Sequence, residues 1–292
     1  MLRAWDILGR GYWRLAQCAL FLALPLLTAP LSAAPCRQAL ALGLDVSGSV
    51  DDREYRLQLD GIAAALLQPD VLSILTSQPQ APVSIAIFEW SGPDNQNILV
   101  PWTRIQSAQD AQDVATKLNQ QRRRPGDPST AMGKALIYGA DLLRNMPGCW
   151  QHTLDLSADG MSNSGPRPVE VAEDLARNPV LVNGLVIAPD GRGDQQGLDQ
   201  LTRYFEEWVI RGPFSFVEQA AGYEDYANAM ARKLLRELSG LPLSEALQKN
   251  VPEVPSVTAA ESRPEAPSQD VSTASNTRLR SKTPSQQDTQ AH

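Results

Sequence analysis

Histidine is scarce in this chain, with His152 and His292 its only two. That excludes most His-based acid–base catalysis and His-rich zinc sites. The three cysteines, Cys18, Cys36 and Cys149, are too few for paired Cys-x-x-Cys zinc binding or a disulfide-dense mini-scaffold. No P-loop and no Gly-x-Ser-x-Gly nucleophile elbow occurs. Positive charge is also short: 26 Lys and Arg stand against 33 Asp and Glu, a net charge of −7. So acidic a chain lacks the bulk positive charge that holds nucleic acid or anionic membrane. No internal repeat is present.

The 292 residues do not read as one folded body. Arg3, Arg10 and Arg14 precede an uncharged stretch from Leu15 to Cys36 whose centre, Leu20–Leu27, is almost wholly apolar. Pro25 and Pro30 break it, and Leu31-Ser32-Ala33-Ala34 supplies small residues for cleavage. Residues 1–34 are therefore expected to be a signal peptide that sends the chain to the periplasm or outside the cell. An uncleaved N-terminal anchor is the rival reading, but the run falls short of the ~20 residues a membrane span needs. Residues 35–240 are expected to form one α/β domain. Residues 241–292 form a tail rich in Pro, Ser, Thr and Gln, without aromatics beyond Val251, too polar to offset its ordering entropy and so expected to be disordered.

Between these ends, strands and helices alternate. Ala39–Leu44 is a continuous apolar run, as for a strand buried on both faces. Asp51 and Asp52 open a helix carrying Tyr55, Leu59, Ile62 and Leu66 at helical spacing. Val83–Phe88 and Ile98–Trp102 form a hairpin across Gly92-Pro93-Asp94. Ala108–Leu118 is a helix, Arg122–Pro128 a loop, and Thr130–Arg144 a helix. Thr153–Ser157 is a strand, Pro168–Arg177 a helix, Leu181–Ile187 a strand and Gly197–Glu207 a helix. Phe214–Val217 is a short strand, and Tyr223–Leu238 is the last helix. This order predicts a mainly parallel, six-stranded sheet with helices on both faces and one antiparallel edge strand. In such sheets the loops at the carboxyl ends of the strands carry the site.

The cysteines fit the same frame. Cys36 precedes Asp45, and Cys149 precedes Asp159, by nearly equal stretches of chain. If both aspartates end neighbouring parallel strands, both cysteines begin them, about 4.8 Å apart. Export to an oxidising compartment then predicts a Cys36–Cys149 disulfide; two free buried thiols are the alternative.

Oxygen-bearing side chains gather on three loops at one end of the sheet. Asp45-x-Ser47-x-Ser49 follows the first strand, Thr130 precedes a helix, and Asp159 follows the Thr153–Ser157 strand. Carboxylates and hydroxyls are hard ligands, suited to Mg²⁺, with Mn²⁺ or Ca²⁺ as further possibilities, rather than to zinc. Two carboxylates and three neutral hydroxyls would leave an octahedral ion at least one water, which an incoming carboxylate could replace. The Asp-x-Ser-x-Ser motif, the Thr130 ahead of Gly133-Lys134-Ala135-Leu136, and Asp159-Gly160 after an apolar strand resemble the von Willebrand factor A domain. The resemblance implies a metal-ion-dependent adhesion site made of Asp45, Ser47, Ser49, Thr130 and Asp159. Phe88-Glu89-Trp90-Ser91-Gly92, Val100-Pro101-Trp102-Thr103-Arg104-Ile105 and Asn183-Gly184-Leu185 resemble, more closely, an exported bacterial subfamily of that domain with no assigned function. That subfamily usually has glycine where Ala158 stands and asparagine where Ser162 stands. If the glycine needs a positive φ, Ala158 would be strained.

Glu89, Trp90 and Ser157 are candidates for a ligand rim around the ion. Asp155, inside a strand, is expected to be buried with a partner. His152 is expected to be structural, and Arg122-Arg123-Arg124 a solvated loop, with steering of an acidic partner towards nearby Thr130 as the alternative. The expected function is an exported, divalent-metal-dependent binding module that captures the acidic group of a protein or other ligand, with no nucleic acid and no stable membrane span after signal cleavage. Two alternatives remain. One is a Mg²⁺-dependent phosphatase with Asp45 as nucleophile, against which Ser47 stands where a general acid is needed. The other is a structural domain with a vestigial metal site.

Overall fold

The computed structural model describes residues 35–177, 180–189 and 193–240. The expected signal peptide, 1–34, and the expected tail, 241–292, lie outside the described residues. Strand β1 is Cys36–Asp45, followed by helices α1 (Asp52–Leu67) and α2 (Pro69–Thr76). Strands β2 (Val83–Trp90) and β3 (Gln96–Ile105) form a hairpin, and helices α3 (Ala108–Asn119) and α4 (Met132–Arg144) follow. Then come β4 (Cys149–Ala158), α5 (Ala172–Ala176), β5 (Leu181–Ile187), α6 (Gln195–Trp208), β6 (Val217–Ala220) and α7 (Tyr226–Ser239). The six strands lie in the order β3-β2-β1-β4-β5-β6. Only β2–β3 is antiparallel, so the antiparallel strand sits at one edge. This is the von Willebrand factor A-like architecture that the resemblance implied.

β1 is central because every one of its residues can be buried. Leu40, Leu42 and Leu44 alternate onto the face covered by α1, α2, α3 and α7, while Ala39 and Ala41 pack on the face covered by α4, α5 and α6. Each fully buried leucine contributes about 1.5–3 kcal/mol, so this strand anchors the loop that leaves its carboxyl end. α1 starts where the sequence places it. Asp51 caps it, accepting from the Glu54 N–H at 2.7 Å, and the Glu54 carboxylate accepts from the Asp51 N–H at 2.8 Å.

Several elements depart from the expected limits. α2 had no counterpart in the sequence reading, although Pro69 at its first turn and the buried Val71 and Leu75 mark it. α4 begins at Met132 rather than Thr130, because the backbone of Thr130 and Ala131 is taken by neighbouring loops. α5 covers only part of the expected Pro168–Arg177; the residues from Pro168 to Val171 form turns ahead of it. β6 begins at Val217, not Phe214. Phe214 instead occupies a turn with φ 64° and is 95% exposed. α7 is preceded by a short 3-10 turn over Tyr223–Asp225. Ala158 lies at the end of β4 and is not among the positive-φ residues, so the strain expected there is absent. Among the described residues no single helix is long and apolar enough to cross a membrane.

The register pairs Cys36 directly with Cys149, and a disulfide joins them with Cα atoms 4.3 Å apart. Where α7 packs on β4 and β5, a charged network is sealed in the core. Lys233 of α7, 0% exposed, donates to Asp155 of β4 and, at 2.8 Å, to Glu237. Asn183 of β5 donates to the same Glu237 carboxylate and accepts from the Phe216 N–H at 3.0 Å. Burial, reinforced by the Glu237 charge, pushes the Asp155 carboxyl well above its ordinary range despite Lys233. Burial works against the Lys233 charge, but Asp155 and Glu237 outweigh it and raise its pKa. Asp155 is thus buried with a partner, as expected, and His152 is held structurally, its ring bonded to the Met146 carbonyl at 2.8 Å.

Two outcomes are expected. Replacing Cys36 and Cys149 with serine should lower the unfolding free energy by about 2–5 kcal/mol in urea titrations, and neither thiol should react in the oxidised wild type. Lys233→Met should cost about 3–5 kcal/mol, because two carboxylates lose their buried cation. The Asp155 carboxyl, already raised by burial, then loses the cation that opposed the rise, so native protein binds more protons than unfolded and stability falls as pH rises. The variant should therefore be less impaired at pH 5 than at pH 8.

Candidate metal centre

Asp45 is the last residue of β1 and is 0% exposed. Its Oδ1 accepts the Ser47 N–H at 2.8 Å, which curls the following loop back over the strand end. Its Oδ2 is buried and has no hydrogen-bond partner. Ser47 Oγ lies 3.3 Å from Ser49 Oγ. Ser49 Oγ donates to Asp159 Oδ1 at 2.7 Å, and the Tyr223 hydroxyl donates to Asp159 Oδ2 at 3.0 Å. A continuous polar chain thus runs from Asp45 through Ser47 and Ser49 to Asp159 and Tyr223, joining the ends of β1 and β4 to the turn before α7.

The Thr130 segment is stitched into the same place by its backbone. Gly48 N–H donates to the Pro128 carbonyl at 2.8 Å, and Ala131 N–H donates to the Ser91 carbonyl at 2.8 Å. Asn163 closes the other side. Its Oδ1 accepts the Thr130 N–H at 2.8 Å, and its own N–H donates to the Thr130 carbonyl at 2.9 Å. Two glycines permit this approach. A Cβ on Gly48 would stand 2.9 Å from Pro128 Cβ, and one on Gly133 would stand 2.0 Å from the Pro166 carbonyl oxygen. The loops after β1 and β4 and before α4 therefore meet at the carboxyl end of the sheet, bringing Asp45, Ser47, Ser49, Thr130 and Asp159 onto adjoining loops.

Electrostatics mark the same spot. Burial, and next the Asp159 charge, push the Asp45 pKa up to about 7. The Tyr223 hydroxyl is likewise raised, by burial and then by Asp159 and Asp45. Among the described residues no three or more His, Cys, Asp and Glu side chains cluster to hold a metal ion. An ion here would rest on two carboxylates and on neutral oxygens. The donor set fits a hard divalent cation. Asp45 Oδ2 is a sealed carboxylate oxygen lacking a donor, and a second carboxylate raises its energy further.

The three candidates for a ligand rim, Glu89, Trp90 and Ser157, are buried. Glu89 accepts from the Tyr55 hydroxyl at 3.1 Å, and burial raises its pKa. Trp90 packs in the core against α4 and the sheet. Ser157 donates to the Gly43 carbonyl at 3.3 Å and accepts from the Tyr226 hydroxyl at 3.2 Å. They lie beneath the loops because β2 and β4 are covered on both faces as far as their ends. Sequence reading missed Asn163 and Tyr223. Asn163 sits in the Asp-Gly-x-x-Asn run already in view, whereas Tyr223 carries no local signal.

No curated protein of known function matches the chain. Among solved structures, a variant of the PilB minor pilin from Streptococcus sanguinis is similar, with a TM-score of 0.51 at 12% identity over 74% of this chain and 65% of that one. A von Willebrand factor type A protein from Catenulispora acidiphila has a TM-score of 0.45 at 15% identity, over 70% of this chain and 43% of that one. Proximal thread matrix protein 1 from the mussel byssus has a TM-score of 0.49 at 16% identity over 70% of this chain, and the chain spans 49% of its length. These likenesses concern the fold alone. Residues 35–242, the whole α/β body, match the family described as protein of unknown function (DUF1194), and the chain belongs to that family.

Proposed function

We propose that this is an exported binding module that captures an acidic group of a partner through one divalent cation. Asp45, Ser47, Ser49, Thr130 and Asp159 hold the ion, directly or through water, and Mg²⁺ is the ion best suited to such oxygens, with Mn²⁺ or Ca²⁺ as substitutes. The observation that carries this reading is Asp45 Oδ2, a buried carboxylate oxygen with no protein donor beside a second carboxylate that destabilises its charge. When bound, the cation supplies a Lewis-acidic position for an incoming carboxylate. The protein's own residues do the rest. The Ser47 N–H fixes one Asp45 oxygen and leaves the other free, and Ser49 and Tyr223 orient Asp159 from both sides. Export is supported by the Cys36–Cys149 disulfide, which persists in oxidising compartments. A phosphatase is disfavoured because Ser47 has no carboxyl to protonate a leaving group.

Thermal unfolding with added Mg²⁺ tests the site. At a hundredfold excess over the dissociation constant, stabilisation of about 2.7 kcal/mol is expected. Asp45→Asn should abolish that response and yet unfold no earlier than wild type in chelator, since it removes a buried charge. No response of the wild type to Mg²⁺, Mn²⁺ or Ca²⁺ would return the vestigial reading, and turnover of a generic phosphomonoester would return the enzymatic one. Tyr223→Phe leaves Asp159 without one of its two donors. It should shift the Mg²⁺ midpoint upward by about tenfold in the same titration while barely changing stability in chelator.

A further inference from the structure

Beside the metal loop lies an open cleft of about 1020 Å³. It runs between the first turns of α1 and the 119–125 segment that leaves α3, and four arginines line it: Arg56, Arg122, Arg123 and Arg124. In a chain of net charge −7 this is a local reversal of sign.

The four arginines divide into two kinds. Arg56 is committed to the fold, bonding the Gln121 and Leu118 carbonyls at 3.1 Å each and pairing with Asp60 at 3.0 Å. Arg123 is committed to the metal loop. It donates to the Ser47 carbonyl at 3.3 Å and the Val46 carbonyl at 3.5 Å, and its other nitrogen faces Asp52 at 3.6 Å. Arg122 and Arg124 are exposed and have no hydrogen-bond or ion-pair partner among the described residues. The Arg124 charge is felt by Glu89, but that carboxylate is buried and bonded to Tyr55. Two unpartnered guanidinium groups thus stand in a cleft whose wall, through Arg123, is the backbone of the proposed ion-binding loop.

We infer that this cleft is a second anchoring point for the same partner, in which Arg122 and Arg124 pair with carboxylates of an acidic protein segment that flank the one held by the cation. The inference rests on the metal-dependent reading above. The rest of the lining favours a peptide over a phosphate polymer. Asn119, Gln120 and Gln121 bring amide groups that both donate to and accept from a peptide backbone. Asp52, on the cleft edge and 91% exposed at its side chain, can accept from a peptide N–H, a donor that a phosphate polymer lacks. Guanidinium groups take carboxylates through two parallel hydrogen bonds. Placed at a rim, they act chiefly by accelerating encounter, and this effect weakens with salt. The cleft also overcomes a difficulty in the metal reading, for an acidic ligand approaching an acidic domain is otherwise repelled.

Fluorescently labelled hexaglutamate is the probe, titrated by anisotropy into the purified full chain with Mg²⁺ and then with chelator, at low and at moderate salt. Wild type should bind in Mg²⁺, and R122E/R124E should bind about tenfold more weakly with a flatter salt dependence. The neutral R122Q/R124Q should fall between them. Both variants should keep the Mg²⁺-dependent thermal shift, which shows that they fold and that the ion site is intact. The two readings fail separately. An intact thermal shift with equal peptide affinity in wild type and R122E/R124E overturns the cleft, as does no peptide binding by a wild type that responds to Mg²⁺. Absence of any thermal shift in wild type overturns the ion site. Tighter capture of inorganic polyphosphate than of hexaglutamate, unchanged by chelator, overturns the acidic-protein assignment.

Discussion

An ionisable oxygen with nothing to bond to, at the end of a central strand buried along its whole length, is the constraint around which the rest of this domain is arranged. Asp45 ends a strand with helices on both sides. One of its carboxylate oxygens is used by the backbone of the next turn and the other by nothing. A protein interior tolerates such a group only when a cation compensates it or a proton neutralises it. The neighbouring Asp159 sharpens the problem instead of relieving it. Two glycines, the Asn163 clamp and the Ser47–Ser49–Asp159 relay all bring loops close around that one point.

The chain contains a second concentration of buried charge, and the contrast is instructive. Asp155, Lys233, Glu237 and Asn183 also place two carboxylates together in the core, but there the cation is part of the chain. The ring of Phe216 covers it, lying 5.1 Å from the Lys233 nitrogen and 3.9 Å from the Arg236 guanidinium carbon. The network fastens α7 to β4 and β5 and leaves no opening for an external ion. One pair of acids is internally compensated and closed; the other is uncompensated and lies under loops at the carboxyl end of the sheet. Placement and partner, not the count of acidic groups, separate a structural site from a candidate binding site.

What the sequence made legible were features with local or strictly periodic causes. The apolar run of β1, the capping of α1 by Asp51, the hairpin and the alternation of strands with helices follow from neighbouring residues, and so does the strand-end position of Asp45. The cysteine pairing was legible because nearly equal spacing to two strand ends is geometry along the chain. What was not legible depends on contacts between distant segments. Tyr223 reaches Asp159, and Lys233 finds Asp155, only after α7 has docked. Phe214 and Phe216 look like a strand in isolation, yet the chain turns at Gly212 and Phe214, both at positive φ, and the buried Asn183 side chain takes the Phe216 N–H. Glu89 and Trp90 were placed at the correct end of β2, but their burial depends on how far the helices extend over the sheet.

The Cys36–Cys149 bond sits at the far ends of the two strands that lead to Asp45 and Asp159. In a parallel pair, a slip of one residue would turn every side chain of one strand to the opposite face. The covalent tie forbids that slip. It acts as the zero mark of a ruler, from which nearly equal lengths of chain, nine residues and ten, are measured out to the two acids. The chemistry at the top of the domain is thereby calibrated at the bottom, and the redox state of the surroundings becomes a condition for that calibration to hold.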